Sequence, residues 1–199
     1  AYEDIAPYYD RIDEMIGLFG TEEGIPNAPD GIFMEPPEPR CYERFLMENT
    51  RDLDVDFVPS RLSIITEQLG DRPACHYCAQ CNRGCSTRSN FSSSDVLIPP
   101  AQATGNLELV THAMVRRVTT DQNGRATGVS YVNKQDGREY KLEADVVVLG
   151  ASALGTARIL LNSDGPRHPN GLANSSNMVG RFLMDSTGTS VGGFFPQLM

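Results

Sequence analysis

Four cysteines crowd into eleven residues, Cys75, Cys78, Cys81 and Cys85 of CHYCAQCNRGC. The C-x2-C-x2-C-x3-C spacing brings thiolates near enough to wrap an iron–sulfur cluster, as in bacterial ferredoxins. Ser86 stands where a ferredoxin run carries proline, and no second run supplies the ligand that two-cluster proteins exchange. Tetrahedral zinc on the four thiolates is a second reading, although zinc ribbons separate two C-x2-C pairs by many residues. Metal-free structural thiols are the third. Disulfides between most pairs in so tight a run would be strained by the Cα separations they need. The fifth cysteine, Cys41, reads as a small buried hydrophobe.

A neutral imidazole suits proton transfer near pH 7, and the chain has His76, His112 and His168. They fall in the cysteine loop, in a strand pattern and in the proline-flanked loop RHPN, and each reads as a surface or structural histidine. GASALG (150–155) follows an apolar run directly, as a strand does when it presents backbone N–H groups to a nucleotide at a helix start. Its glycines do not fit G-x-G-x-x-G, and no such fingerprint occurs elsewhere in the chain. By itself the junction reads equally as packing.

The elements that position these groups differ between the two halves. Ile5, Tyr8, Tyr9, Ile12, Met15, Ile16 and Phe19 make one apolar helical stripe across 3–19, with Gly20 as its stop and core packing as its role. Five prolines in 24–40 exclude helix and central strand there. A short helix is expected over 41–49, an extended segment over 56–66, and a short helix opening at Pro99 and Pro100. From Leu107 the pattern alternates, with Asn123-Gly124 as a hairpin turn, strands over 126–132 and 139–144, and DVVVLG (145–150) as a strand buried in a parallel layer. A helix over 152–163 would then face inward through Leu154, Ala157, Leu160 and Leu161.

The net charge of −9 is concentrated in residues 1–56, which alone carry −11. Nucleic-acid binding needs a basic stripe to neutralise phosphates, so that class is excluded. No apolar run reaches the roughly 18 residues of a membrane-spanning helix, and no signal peptide is visible. The chain opens at Ala1 inside a helical pattern, so that absence says little about targeting. Localisation stays open between cytoplasm and export to the periplasm.

Five segments in order carry a resemblance: the cysteine loop 75–85, GNLELVTHAMVRRV (105–118), GRATGVSYV (124–132), ADVVVLGASALGTARILLNS (144–163) and NSSNMVGRFLMD (174–185). Over roughly residues 70–190 the chain resembles the middle section of the glucose–methanol–choline (GMC) oxidoreductases. The resemblance implies an α/β fold: part of a Rossmann-like, glutathione-reductase-type FAD domain with inserted α+β substrate-binding segments. Residues 1–98 would belong to the substrate domain with its cysteine loop, 99–165 to the FAD domain, and 166–199 to the return toward the substrate domain.

It also implies FAD as cofactor, with Val115 meeting the adenine through main-chain groups and Gly150 and Ala151 beside the cofactor, where small residues permit close backbone approach. The expected reaction is oxidation of a CH–OH group of an alcohol, sugar or polyol by hydride transfer to flavin, with an electron-acceptor subunit as a further partner. Cysteine loops in this family are metal-free in some branches and hold an iron–sulfur cluster in some membrane-linked sugar dehydrogenases. Met184-Asp185-Ser186 stands where many members carry an Asp-His pair. The family's glycine fingerprint and late catalytic histidine are not among these residues, so no catalytic residue is expected in the chain, and the chain alone is expected to hold FAD poorly.

Overall fold

Pro7 lies where a helix tolerates proline, in the first turn of α1 (Ala6–Ile16). The computed structural model describes residues 1–25, 28–53, 57–186, 188, 192–194 and 196, and the chain falls into two units, residues 1–108 and 109–194.

In the first unit α1 stops at Gly17, three residues before the stop expected from sequence. Gly17 takes a left-handed φ of 75° and its N–H donates to Asp13 O at 2.9 Å. A Cβ there would stand 2.2 Å from Ile65 Cγ2, so the glycine both caps the helix and lets fully buried Ile65 close on it. The core gathers at this end of the helix. Phe19 is buried and exchanges N–H···O bonds with Leu62 at 3.0 and 3.2 Å, while Gly20 N–H reaches Met34 O at 3.2 Å. The apolar stripe expected to pack inward instead meets solvent over the first turns: Ile5, Tyr8, Tyr9, Ile12 and Met15 are all between 46% and 67% exposed.

Residues of the proline-rich stretch form only isolated bridges among those described. α2 (Cys41–Asn49) matches its expected span, with Glu43 accepting the Arg40 N–H at 2.6 Å in the first turn. Cys41, expected to be buried, opens this helix on its exposed side. Of the extended segment, Asp56 lies outside the described residues; Phe91 N–H bonds Ser63 O at 2.8 Å, and Ile65 N–H bonds Ser89 O at 3.0 Å. A π-helical turn (Ser93–Leu97) leads into α3 (Ile98–Ala103), which has proline in its first turn.

The second unit is a three-stranded antiparallel meander, β1 (Ala113–Thr120), β2 (Ala126–Asn133) and β3 (Glu139–Glu143), in that order, followed by α4 (Ser152–Asn162). The first turn closes through Asp121, whose Oδ1 accepts the N–H groups of Asn123 and Arg125, both at 2.8 Å. Tyr131 and Tyr140 sit opposite in register and stack at 5.7 Å. Gly128, at φ 151°, is required by close approach: a Cβ would lie 2.0 Å from Leu142 O on β3.

Two inner positions differ from the sequence reading. Residues 145–150 form no strand, and Val146 and Val148 are 76% and 87% exposed. A parallel strand takes its neighbours from distant chain, unlike a hairpin, and none of the described residues pairs with this run. In α4 the buried residue is Ile159, as Val118 is on β1, while Leu154 and Leu161 are exposed.

Candidate functional site

Val115 lies half-buried on β1, opposite Tyr131. The next residue, Arg116, is bulged out of register, so the pairing resumes at Arg117 opposite Ser130. The bulge separates two consecutive arginines: Arg116 pairs with Glu139 on β3 at 2.9 Å, and Arg117 turns to the C-terminal end of α4 and bonds Asp164 O. β1 is an edge strand, and α4 satisfies its outer edge twice. Arg158 Nη2 donates to Val115 O at 3.3 Å, and the buried Val118 N–H donates to Ser163 Oγ at 2.9 Å. Ser163 Oγ in turn donates to Ile159 O at 2.6 Å.

Gly150 and Ala151 stand at the other end of the same helix. Both are exposed, Ala151 is the N-cap residue of α4, and no side chain bonds the free N–H groups of the first turn. Such groups form a ready site for anionic oxygens. Among the described residues a Cβ built on Gly150 meets nothing within 4 Å, and Leu149, Ser152, Ala153 and Val179 wall an open groove around it. Ser152 adopts φ 61°, a conformation few non-glycine residues take, which turns the chain sharply into the helix. The structure therefore ties Val115 and the Gly150-Ala151 pair to one helix, two turns or about 10 Å apart along it.

The cysteine loop belongs to the first unit. Arg72, 4% exposed, holds its base by donating to Arg88 O at 2.9 Å, Ile16 O at 2.7 Å and Ser89 O at 3.3 Å. Asp71 pairs with Arg88 at 2.8 Å, and that hydrogen bond holds its carboxyl below the usual range. All four cysteines line one cavity of about 170 Å³, with Phe19, Leu62 and Ile64 among its walls.

Their spacing left an iron–sulfur cluster, zinc and metal-free thiols open. No three His, Cys, Asp or Glu side chains among the described residues are grouped to hold a metal ion, and all five thiols are free. Left-handed φ values of 57° at both Tyr77 and Ala79 turn the loop between Cys75 and Cys81, and each anchored sulfur is satisfied locally. Cys75 Sγ accepts the Tyr77 N–H at 3.4 Å; Cys85 Sγ accepts the Asn90 N–H at 3.4 Å and lies 3.4 Å from Thr87 Oγ1. Burial opposes ionisation of Cys85, but donors from Asn90, Thr87 and Ser89 outweigh it and bring the thiol down to about 7.

Residues 63–187 match the sequence profile of the GMC oxidoreductases. The chain belongs to that family. It is 37% identical over 187 residues to 2-methyl-1,2-propanediol dehydrogenase of Mycolicibacterium austroafricanum, covering 92% of this chain and 33% of the relative. It is 29% identical over 181 residues to paromamine 6'-oxidase of Streptomyces fradiae (90% and 32% covered). Similarity extends to the fructose dehydrogenase large subunit of Gluconobacter japonicus, 27% over 192 residues (94% and 35% covered). The chain spans about a third of the length of these curated relatives.

The GMC match carries an FAD-binding, Rossmann-like α/β fold, with which the mixed helix and strand content agrees. FAD fits what the residues offer: an uncapped helix start, a glycine with open space on its Cβ side, and a strand edge addressed by a helix side chain. Sequence reasoning missed Arg158, Ser163 and Arg72. The only signal for Arg158 was a lone charge inside the apolar SALGTARILLN, and nothing in the pattern marked the other two.

Proposed function

We propose that this chain is the portion of an FAD-dependent GMC oxidoreductase that supports one side of the flavin cofactor, in an enzyme oxidising a CH–OH group of a small alcohol, sugar or polyol. The observation that carries it is the 37% identity across 92% of the chain to a diol dehydrogenase, joined to the uncapped start of α4 at Ala151. Bound flavin would accept the hydride taken from the alcohol carbon.

The chain's own residues bind and orient. Main-chain groups of Val115 would meet the adenine, Gly150 and Ala151 would let the backbone approach the cofactor, and the free amides of α4 would donate to its oxygens. Arg158 and Ser163 hold β1 against α4, fixing these groups relative to one another. The base that takes the hydroxyl proton would lie outside these residues. An electron-acceptor subunit is the finer reading, supported by the relative named as a large subunit. Nothing supports a cluster on Cys75, Cys78, Cys81 and Cys85.

The test is anaerobic mixing of the intact flavoprotein with a panel of 1,2-diols, sugars and aminated sugars. Bleaching of the oxidised flavin absorbance by at least one alcohol class supports the reading. A flavin that none of them reduces, but that NADH reduces directly, sinks it.

A further inference from the structure

We propose that the cysteine cavity is a peroxide-reactive thiol site, in which Cys85 is oxidised by a hydroperoxide and then closes a disulfide with Cys78 or Cys81. This does not depend on the flavin assignment.

The first support is the shared cavity. Its volume of about 170 Å³ admits several molecules the size of water, which occupies about 30 Å³ in the liquid. Cys75, Cys78, Cys81 and Cys85 all line it, so a sulfur activated at one position has other cysteines around the same cavity.

The second support is the hydrogen-bond pattern at Cys85. Thr87 Oγ1 lies 2.8 Å from Ser89 Oγ, and Ser89 Oγ donates to Pro73 O at 2.8 Å. Each hydroxyl has one proton. With that of Ser89 committed to Pro73, the Thr87 proton points to Ser89 while Cys85 is a thiol, and can swing to the sulfur when Cys85 is a thiolate. The Asn90 N–H already donates to that sulfur. The sulfur is therefore set to be nucleophilic, with donors that follow its charge. Buried Arg72, fastened to the Arg88 and Ser89 carbonyls, adds a fixed cation to the same segment.

The third support separates the two roles. Cys75 is anchored, its N–H donating to Ile65 O at 2.9 Å and its sulfur engaged by Tyr77. Cys78 and Cys81 are exposed, and Cys81 opens a short 3-10 segment (Cys81–Arg83) whose Arg83 N–H bonds Gln80 O at 2.8 Å. Closing the disulfide requires this exposed turn to bring a Cα within about 7 Å of that of Cys85.

The chemistry balances. The Cys85 thiolate attacks one peroxide oxygen, forming S–O and breaking O–O, and the released hydroxide or alkoxide takes a proton. The thiol of Cys78 or Cys81 then attacks the sulfenic sulfur, forming S–S and breaking S–O, and water leaves with its proton. Two thiols are oxidised by two electrons and one peroxide is reduced.

Cys41 is an internal reference, being exposed but outside the cavity. The intact protein is treated with substoichiometric hydrogen peroxide at pH 7 and digested without reduction. The expected result is a peptide pair joining Cys85 to Cys78 or Cys81, formed at least about tenfold faster than Cys41 is oxidised. In the doubly substituted Cys78→Ser, Cys81→Ser protein, dimedone should trap a sulfenic acid at Cys85. Oxidation of Cys41 as fast as Cys85 in the native protein would overturn the proposal. So would an equally fast disulfide in Cys85→Ser, or stoichiometric iron and sulfide held by the four thiols.

Discussion

Ser163→Ala tests the junction that holds the candidate cofactor strand to its helix. The native hydroxyl accepts the buried Val118 N–H at 2.9 Å and donates to Ile159 O at 2.6 Å. The Ser163 N–H goes to Leu160 O, so the hydroxyl is what Ile159 O has in place of the usual helical partner four residues on. Alanine removes one oxygen and leaves almost no void, so packing loss is minor. Two buried backbone groups lose a partner, each worth about 1–3 kcal/mol, and a combined cost of about 2–6 kcal/mol follows. At about 1.4 kcal/mol per tenfold, the Val118 amide should exchange with solvent roughly 30- to 20,000-fold faster. Amide hydrogen exchange on residues 113–120 of the intact protein, read by mass spectrometry, measures this directly. Ser175→Ala, at an exposed position, is the control. If protection of Val118 in Ser163→Ala stays within about threefold of native, the clamp is not what holds β1 to α4.

Arg72→Met should cost about 2–5 kcal/mol, because three carbonyls lose a buried guanidinium donor; lysine should recover only part of this, since one ammonium cannot fork to all three, and thermal denaturation of the three proteins ranks them. Cys85 should be alkylated by iodoacetamide with a midpoint at about pH 7, where it titrates. The folded value lies below that of an unfolded thiol, so the stabilisation its donors give is present above the ordinary thiol range and lost as pH falls through about 7. Thr87→Val, which removes a donor, should move the midpoint upward; an unchanged profile would mean that the hydroxyl does not act on the sulfur.

What was legible in the sequence was what is decided locally. The span of α2 follows from its own periodicity and first-turn Glu43, and the β1–β2–β3 meander from alternation closed by an Asp121–Gly124 turn. What was not legible depends on distant chain. Residues 145–150 are apolar enough for a parallel layer, but hydrophobicity does not say who pairs with them. The inward face of α4 was read through Leu154, Ala157, Leu160 and Leu161, yet the residue it buries is Ile159. The cysteine spacing left a metal tetrad and metal-free thiols open; the left-handed φ at Tyr77 and Ala79, residues that rarely adopt it, shapes the loop between them, and no spacing rule foretells that. Val115, Gly150 and Ala151 came from family likeness, and the geometry that joins them, through Arg158, was visible only in the fold.

If the backbone at the start of α4 faces FAD, Gly150→Val should weaken cofactor binding without disturbing the fold. The added side chain meets no atom of the described residues within 4 Å of its Cβ, so the protein should fold with native circular dichroism. It should be purified with its flavin absorbance reduced at least about tenfold, or with FAD affinity weakened by that factor, the equivalent of about 1.4 kcal/mol. A folded Gly150→Val protein that retains stoichiometric FAD with native affinity would contradict the claim.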